Sequence, residues 1–305
     1  MISVAPFAIA ALLELAGPVE IAGLDDPLGA DNVVDFLLED QYEAFEDLRA
    51  REDALGNVAE RAFSALLSSD IPGPERLGAV LGPVARQDRL LMTTFDDEAN
   101  AFLERVFLRG ALPVAHPSQD FLSVVHDAAV NRKLDTYLHR DIEYSTAFDP
   151  ATGATTSLLR VFLRNDSPAD LDEYVAGEVG DLTFEDGSNL PVGHNYLRLS
   201  IYTSAEVTEF RGNGFASEMA SATEYGYNRY LSFVNVPPGE TATVEFDLSQ
   251  TLPAGSRYQL KLASQPLVNT DQWVVTVGAA GAPETAVTER FPLVEDVDYI
   301  VDFTN

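Results

Sequence analysis

The 305-residue sequence predicts an α+β chain of two domains, with residues 1–134 forming part of an α/β domain and residues 135–305 an all-β sandwich. Two observations carry this expectation. Up to residue 134, short apolar runs alternate with stretches of helical period, whereas from Thr136 onward apolar residues recur at every second position between turn clusters. A chain of this length with 46% hydrophobic residues also supplies core for two domains more readily than for one.

In the first part, ISV reads as a strand. Pro6 opens a helix that runs to Ala16, Gly17 fits the position after its end, and Pro18 stops it. VEI reads as a second strand. After the turn-rich GLDDPLGA, Asp31 is placed to cap a helix carrying Val33, Val34, Phe36, Leu37 and Leu38. A helix opening near Arg51 sets Leu55, Val58, Ala59, Ala62, Phe63, Leu66 and Leu67 on one stripe. Pro74 begins another helix and LLMTT reads as a strand. DDEANAFLERVFLRG is a helix whose acids lie at its start and arginines near its end, as the helix dipole favours. FLSVV closes this part as a last strand.

The second part opens with Leu138, Arg140, Ile142, Tyr144 and Phe148 at alternating positions. DPATGAT follows as a turn, then Leu159, Val161 and Leu163 as the returning strand. Further strands are NYLRLSIY, RYLSFVNV, TATVEFDL, YQLKLAS, WVVTVG and YIVDF, and many short strands at this spacing predict a sandwich.

The formal charge of −30, from 49 acidic against 19 basic residues, repels nucleic-acid phosphates and anionic membrane surfaces. Only Lys133 and Lys261 are lysines; the other basic residues are arginines. With no cysteine there is neither a disulfide framework nor a thiolate metal site. The N-terminal MISVAPFAIAALLELAGPVEI lacks a basic n-region and carries Glu14, which excludes a signal peptide. No stretch reaches the ~20 apolar residues of a membrane-spanning helix.

Nucleotide-binding loops, nucleophile elbows and H-E-x-x-H are absent. His116, His126, His139 and His194 are scattered, which fits single structural or surface roles better than metal ligation. The acids Asp170, Asp172, Glu173, Asp181 and Glu185 lack calcium-loop order and read as a solvated loop. Asp96, Asp97 and Glu98 read as a helix cap. In the stretch DQYEAFEDLRAREDALGNVAERAF, Arg49, Arg51 and Arg61 stand among acids. Guanidinium forks suit phosphates, and surface pairs worth ~0.5 kcal/mol each account for the same residues as an outer helix face.

The segments APFAIAALLELAGPVEI and LGADNVVDFLLEDQY, with the arginine stretch after them, resemble the second half of the LytR-CpsA-Psr domain over roughly the first 68 residues. That domain's pattern is a helix ending in L-G-G-V-x-V, then L-N-G-E-Q-A-L-A-Y, an R-x-R step, and D-F-x-R-x-x-R-Q-Q before a long helix. Leu28 to Phe36 lies against the second motif without a gap, Asp31 at its Glu and Asn32 at its Gln. The whole chain more closely resembles a family of actinobacterial envelope proteins of unassigned function, associated with exopolysaccharide genes. LLELAGPVEI, ADNVVDFLLEDQYEAF, NRKLDTYL and YQLKLASQP carry that resemblance. Members begin with a membrane anchor and a further α/β half, so Met1 falls mid-domain and the resemblance implies a truncated chain.

LytR-CpsA-Psr enzymes move a glycan from a polyprenyl pyrophosphate carrier to the cell wall, with arginines on the pyrophosphate and an aspartate-bound magnesium. Here the R-x-R step falls on Leu38 and Asp40, and Glu52 and Asp53 stand where Q-Q would be. Arg49 and Arg51 approximate the later arginine pair and are the only candidate ligand contacts, so the resemblance assigns no catalytic residue, metal or cofactor. It implies a LytR-CpsA-Psr-like α/β part followed by an immunoglobulin-like or fibronectin-like sandwich, on the extracytoplasmic face of the membrane. The expected role is a non-catalytic or weakly catalytic module of cell-wall or exopolysaccharide assembly that binds glycan, lipid-linked glycan or a protein partner. The alternatives are a phosphotransferase when joined to an upstream half, and a structural adhesin-like segment.

Overall fold

The computed structural model describes residues 1–45, 47–68, 73–213 and 215–303. The chain divides into two units, Met1–Ala111 and Leu112–Asn305.

The first unit is built around one helix. β1 (Ile2–Val4) leads into α1 (Pro6–Ala16), which Pro6 opens and Gly17 ends in the left-handed region, its N–H donating to the Leu13 carbonyl. Then come α2 (Val33–Asp35), a π-turn over Phe36–Asp40, α3 (Gln41–Ala44), α4 (Leu48–Ser68), α5 (Pro74–Arg86), β2 (Leu90–Met92) and α6 (Asp97–Arg105). Both sides of α1 are apolar because both are covered. Ile9 and Leu13 join Val33, Phe36, Val58 and Ala62 in one cluster, while Ala8 and Ala11 join Val80, Val84 and Leu90 in another. α6 starts as expected, with Asp96 Oδ1 accepting from the Ala99 N–H at 2.8 Å.

The second unit holds β3 (Asp120–Ala128), β4 (Leu138–Phe148), β5 (Ala154–Asn165), α7 (Glu173–Ala176), β6 (Asn195–Thr203), β7 (Glu206–Gly212), β8 (Ala220–Glu224), β9 (Tyr227–Val236), β10 (Thr241–Thr251), β11 (Arg257–Ala263), β12 (Gln272–Ala279), β13 (Ala282–Pro292) and β14 (Val297–Asp302). They form two six-stranded sheets, β13-β12-β4-β5-β10-β7 and β14-β11-β3-β6-β9-β8. Period-two alternation turns Ile142, Tyr144, Phe148, Leu159, Val161, Phe246 and Trp273 of the first sheet inward. They meet Leu122, Leu199, Ile201, Val234, Tyr258 and Leu260 of the second in one core, where each fully buried large side chain contributes about 1.5–3 kcal/mol. The β4–β5 turn needs glycine at its end. Gly153 has φ +77°, and a Cβ there would lie 1.8 Å from the Leu252 carbonyl oxygen.

Several expectations are overturned. The first unit is not an α/β domain of the LytR-CpsA-Psr kind. Its one sheet in the described residues is the antiparallel ribbon β1–β2, without the parallel strands and crossover helices that such a domain needs. VEI is no strand, since only Val19 makes an isolated bridge, to Leu28. Asp31 caps nothing; Asn32 precedes α2, and its Oδ1 accepts from the Gly29 N–H at 2.7 Å. FLSVV lies in β3 of the second unit, so the division falls after Ala111 and not after residue 134. Nor is the second unit immunoglobulin-like or fibronectin-like. Each six-stranded sheet is mixed, with β12 parallel to β4 and β11 parallel to β3, where those folds are antiparallel.

Candidate functional site

The two candidate arginines part company in α4. Arg49 is exposed. Arg51 is buried, its guanidinium 5.0 Å from the Tyr42 ring centroid and its Nη2 donating to the Phe45 carbonyl at 3.1 Å. It therefore fastens α4 to the segment before it. A groove of about 420 Å³ in the same unit, which neither arginine lines, sets Glu20, Asp25 and Asp26 against the single cation Arg61, the wrong sign for a pyrophosphate. Of the remaining stretch, Glu46 lies outside the described residues, as do the side chains of Glu43, Leu66 and Leu67.

Three buried polar clusters organise the second unit, and all are occupied with their own neighbours. Asp120 on β3 is fully buried. It accepts from its neighbour Phe121 N–H at 2.8 Å, from Ser204 Oγ at 3.1 Å, from the Tyr144 hydroxyl at 2.6 Å and from the Tyr258 hydroxyl. Burial, and then the adjacent carboxylate, hold both tyrosines well above their ordinary pKa, so they stay protonated donors. Because Tyr144 belongs to the first sheet and Asp120 to the second, the cluster pins the sheets together.

Arg140 on β4 forms a second pin. Its Nε donates to Asp271 Oδ1 at 2.8 Å and its Nη2 to Oδ2 and to the Val124 carbonyl, while Nη1 lies 2.9 Å from His126 Nδ1. Desolvation, with the Arg140 charge beside it, pushes the His126 pKa well below its usual value. The imidazole is neutral, with Nδ1 as acceptor. The third cluster centres on Arg132, which gathers the carbonyls of Pro191 at 2.6 Å, His194 at 3.1 Å and Leu190 at 3.3 Å together with Asp181 Oδ2 at 3.3 Å. It clasps the acidic loop that precedes β6. Asp172 caps α7 and Asp186 accepts from Ser188, so those acids already have local roles. Among the described residues no three His, Asp or Glu side chains converge as a metal cluster.

What remains open is the outer face of the first sheet. Along β4 the outward positions are Asp141, Glu143, Ser145 and Ala147, and beside them on β12 stand Gln272, Val274, Thr276 and Gly278. Two hollows occupy consecutive steps of this face. One of about 360 Å³ is lined by Asp141, Glu143, Phe162, Arg164, Gln272, Val274 and Arg290. The next, about 420 Å³, is lined by Ser145, Ala147, Thr156, Thr276, Gly278 and Ala286. Together they make a trough about 20 Å long at ~3.3 Å per residue. Its floor is low because the central strands carry serine, threonine, alanine and glycine there; a Cβ on Gly278 would lie 3.2 Å from that of Ala286.

Beside the trough, Glu143, Arg160, Glu245 and Arg211 stand directly opposite one another across β4, β5, β10 and β7. Their ion pairs measure 3.5, 2.8 and 3.1 Å. The hydrogen bonds that Arg211 donates to Asp247, Glu245 and Glu209 raise its pKa, and those donated by Arg160 and Arg211 lower that of Glu245. The row keeps this stretch of the face rigid and its charges satisfied. Sequence reading singled out none of the trough residues as a site, since small polar side chains on alternating positions look like any solvent face.

No family model and no curated protein matches the chain. Among solved structures it is similar to an M1 zinc metallopeptidase from Deinococcus radiodurans, at 11% identity over 51% of this chain and 39% of that one, with a TM-score of 0.24. It is also similar to a putative nutrient binding protein from Legionella pneumophila subsp. pneumophila str. Philadelphia 1, at 9% identity over 51% of this chain and 54% of that one, with a TM-score of 0.29. The chain thus spans about two fifths of the first and about half of the second, and likeness at these scores carries no argument about chemistry.

Proposed function

We propose that the protein is a non-catalytic binding module whose ligand is a neutral glycan chain, held in the trough on the outer face of the first sheet. The observation that carries this reading is the trough itself, an open, elongated hollow that sets two carboxylates (Asp141 and Glu143), an amide (Gln272) and two guanidiniums (Arg164 and Arg290), with no net charge among them, beside the half-buried Phe162 ring. Sugar rings present C–H faces that pack on an aromatic ring and hydroxyls that both donate and accept, and such a lining meets both demands. An extended polymer suits a trough of this length better than a compact metabolite does. The charge of −30 selects against uronate-bearing or phosphorylated chains and against nucleic acid.

Envelope or exopolysaccharide assembly on the outer side of an actinobacterial membrane is the setting that the sequence resemblance proposes for such a module. A phosphotransferase role draws less support, because the buried Arg51 is engaged with Tyr42 and Phe45. An array of neutral, amino, uronic and phosphorylated oligosaccharides tests the reading. Retention of neutral chains that is lost in Asp141→Ala and Gln272→Ala supports it. Retention of anionic chains alone, or of none, sinks it.

A further inference from the structure

A second hollow of the same unit, about 490 Å³, lies where the chain enters β3, where β6 turns into β7, and at the end of β10. It is lined by His116, Gln119, Ser204, Asn228, Gln250 and Thr251, with Glu206 as its one acid. Its amides have fixed senses. Asn228 Nδ2 donates to the Ala205 carbonyl at 2.9 Å and Gln119 Nε2 donates to Asp298 at 3.1 Å, which leaves the oxygen of each amide as an acceptor. His116 Nδ1 is engaged with Ser118 Oγ at 2.8 Å, which leaves Nε2. Gln250 Nε2 is buried and has no hydrogen-bond partner among the described residues. A buried amide donor without an acceptor is costly, and a ligand oxygen that reached it on a small side-chain shift would relieve that cost.

We propose that this hollow is a second binding site, for a single neutral sugar ring. Fixed acceptors alternating with a donor in want of an acceptor complement vicinal hydroxyls, each of which gives one hydrogen bond and takes others. An anion is disfavoured by Glu206 and by the overall charge, and a metal ion would find only one carboxylate. A lipid tail would find only Pro117 and Leu252 for apolar wall. Ser204, which lines the hollow, also donates to Asp120, so an occupant touching it bears on the pin that joins the sheets. The proposal shares with the trough only the ligand class, and it stands if the trough binds nothing.

The test is a titration of the full chain with D-glucose, D-galactose, D-mannose and N-acetylglucosamine, read by amide and imidazole resonances. The site predicts saturable shifts at Gln250, Asn228 and His116 with one of the four, and none at Asp141 or Gln272. It also predicts affinity weakened by about three- to tenfold in Gln250→Ala and, as an independent check, in Gln119→Ala, each with the melting temperature recorded. Absence of saturable shifts with all four sugars overturns it. Shifts at these residues that are unchanged in affinity in both folded variants overturn it equally.

Discussion

Arg140 and Asp271 face each other as a two-pronged ion pair with both side chains almost wholly buried, 131 residues apart in sequence. Arg140 comes from near the start of β4 and Asp271 from the residue before β12, the two strands that run parallel in the first sheet. Removing one partner leaves a buried charge uncompensated. Asp271→Ala is expected to cost about 3–5 kcal/mol in urea unfolding, whereas Arg140→Met combined with Asp271→Leu costs much less. Equal losses would mean that the pair contributes packing and not charge.

His126 beside that pair makes stability depend on pH. Its folded pKa lies well below the unfolded value of 6.5, so below pH 6.5 the unfolded chain binds a proton that the folded chain refuses. Stability is therefore full above that pH and falls as pH drops below it toward the depressed folded pKa. Asp135, 4.0 Å from His126 Nε2, has a raised pKa and acts in the opposite sense at lower pH, since its folded form takes up its proton first. Unfolding curves of the native chain and His126→Asn across this window should show the slope in the first and its loss in the second.

Arg132→Met should free the loop of residues 166–194, because five hydrogen bonds to that loop and to His194 go with it. Hydrogen exchange should quicken there by the opening of that loop, with β4, β5 and β10 unchanged. Gly177→Ala should act alike, since Gly177 has φ +86° and a Cβ there would lie 2.0 Å from Arg132 Nε.

In the first unit, Arg51→Ala is expected to lower stability by about 1–3 kcal/mol through the lost Tyr42 and Phe45 contacts, and Arg49→Ala by less than ~0.5 kcal/mol. Thermal melts of the two variants decide it. Equal small effects would return Arg51 to the role of an outer-face arginine.

The sequence made these features legible to different depths. Period-two alternation marked β4 and β5 residue by residue, and it placed Arg140 among inward positions, which already called for a buried partner. Pro6, Gly17 and Asp96 signalled helix ends because each acts on its own few neighbours. Asp271, Tyr258 and Asp120 could not be joined from sequence, since parallel pairing brings together segments more than a hundred residues apart. The α/β expectation failed for a related reason. Short apolar runs such as VEI fit a strand or a buried loop equally well, and the packing around α1 chose the loop. The trough was invisible because what makes it is the smallness of Ser145, Ala147 and Gly278 side by side, a property of registered strands.

The most direct measurement of the central claim is an amide-resonance titration of the full chain with a series of neutral linear oligosaccharides of increasing length. The trough predicts saturable shifts at Asp141–Ala147 on β4 and Gln272–Gly278 on β12. Affinity should rise with chain length until the ~20 Å hollow is filled, and fall about three- to tenfold in Gln272→Ala. Residues Asp141–Ala147 and Gln272–Gly278 that stay unshifted with every neutral chain would contradict it.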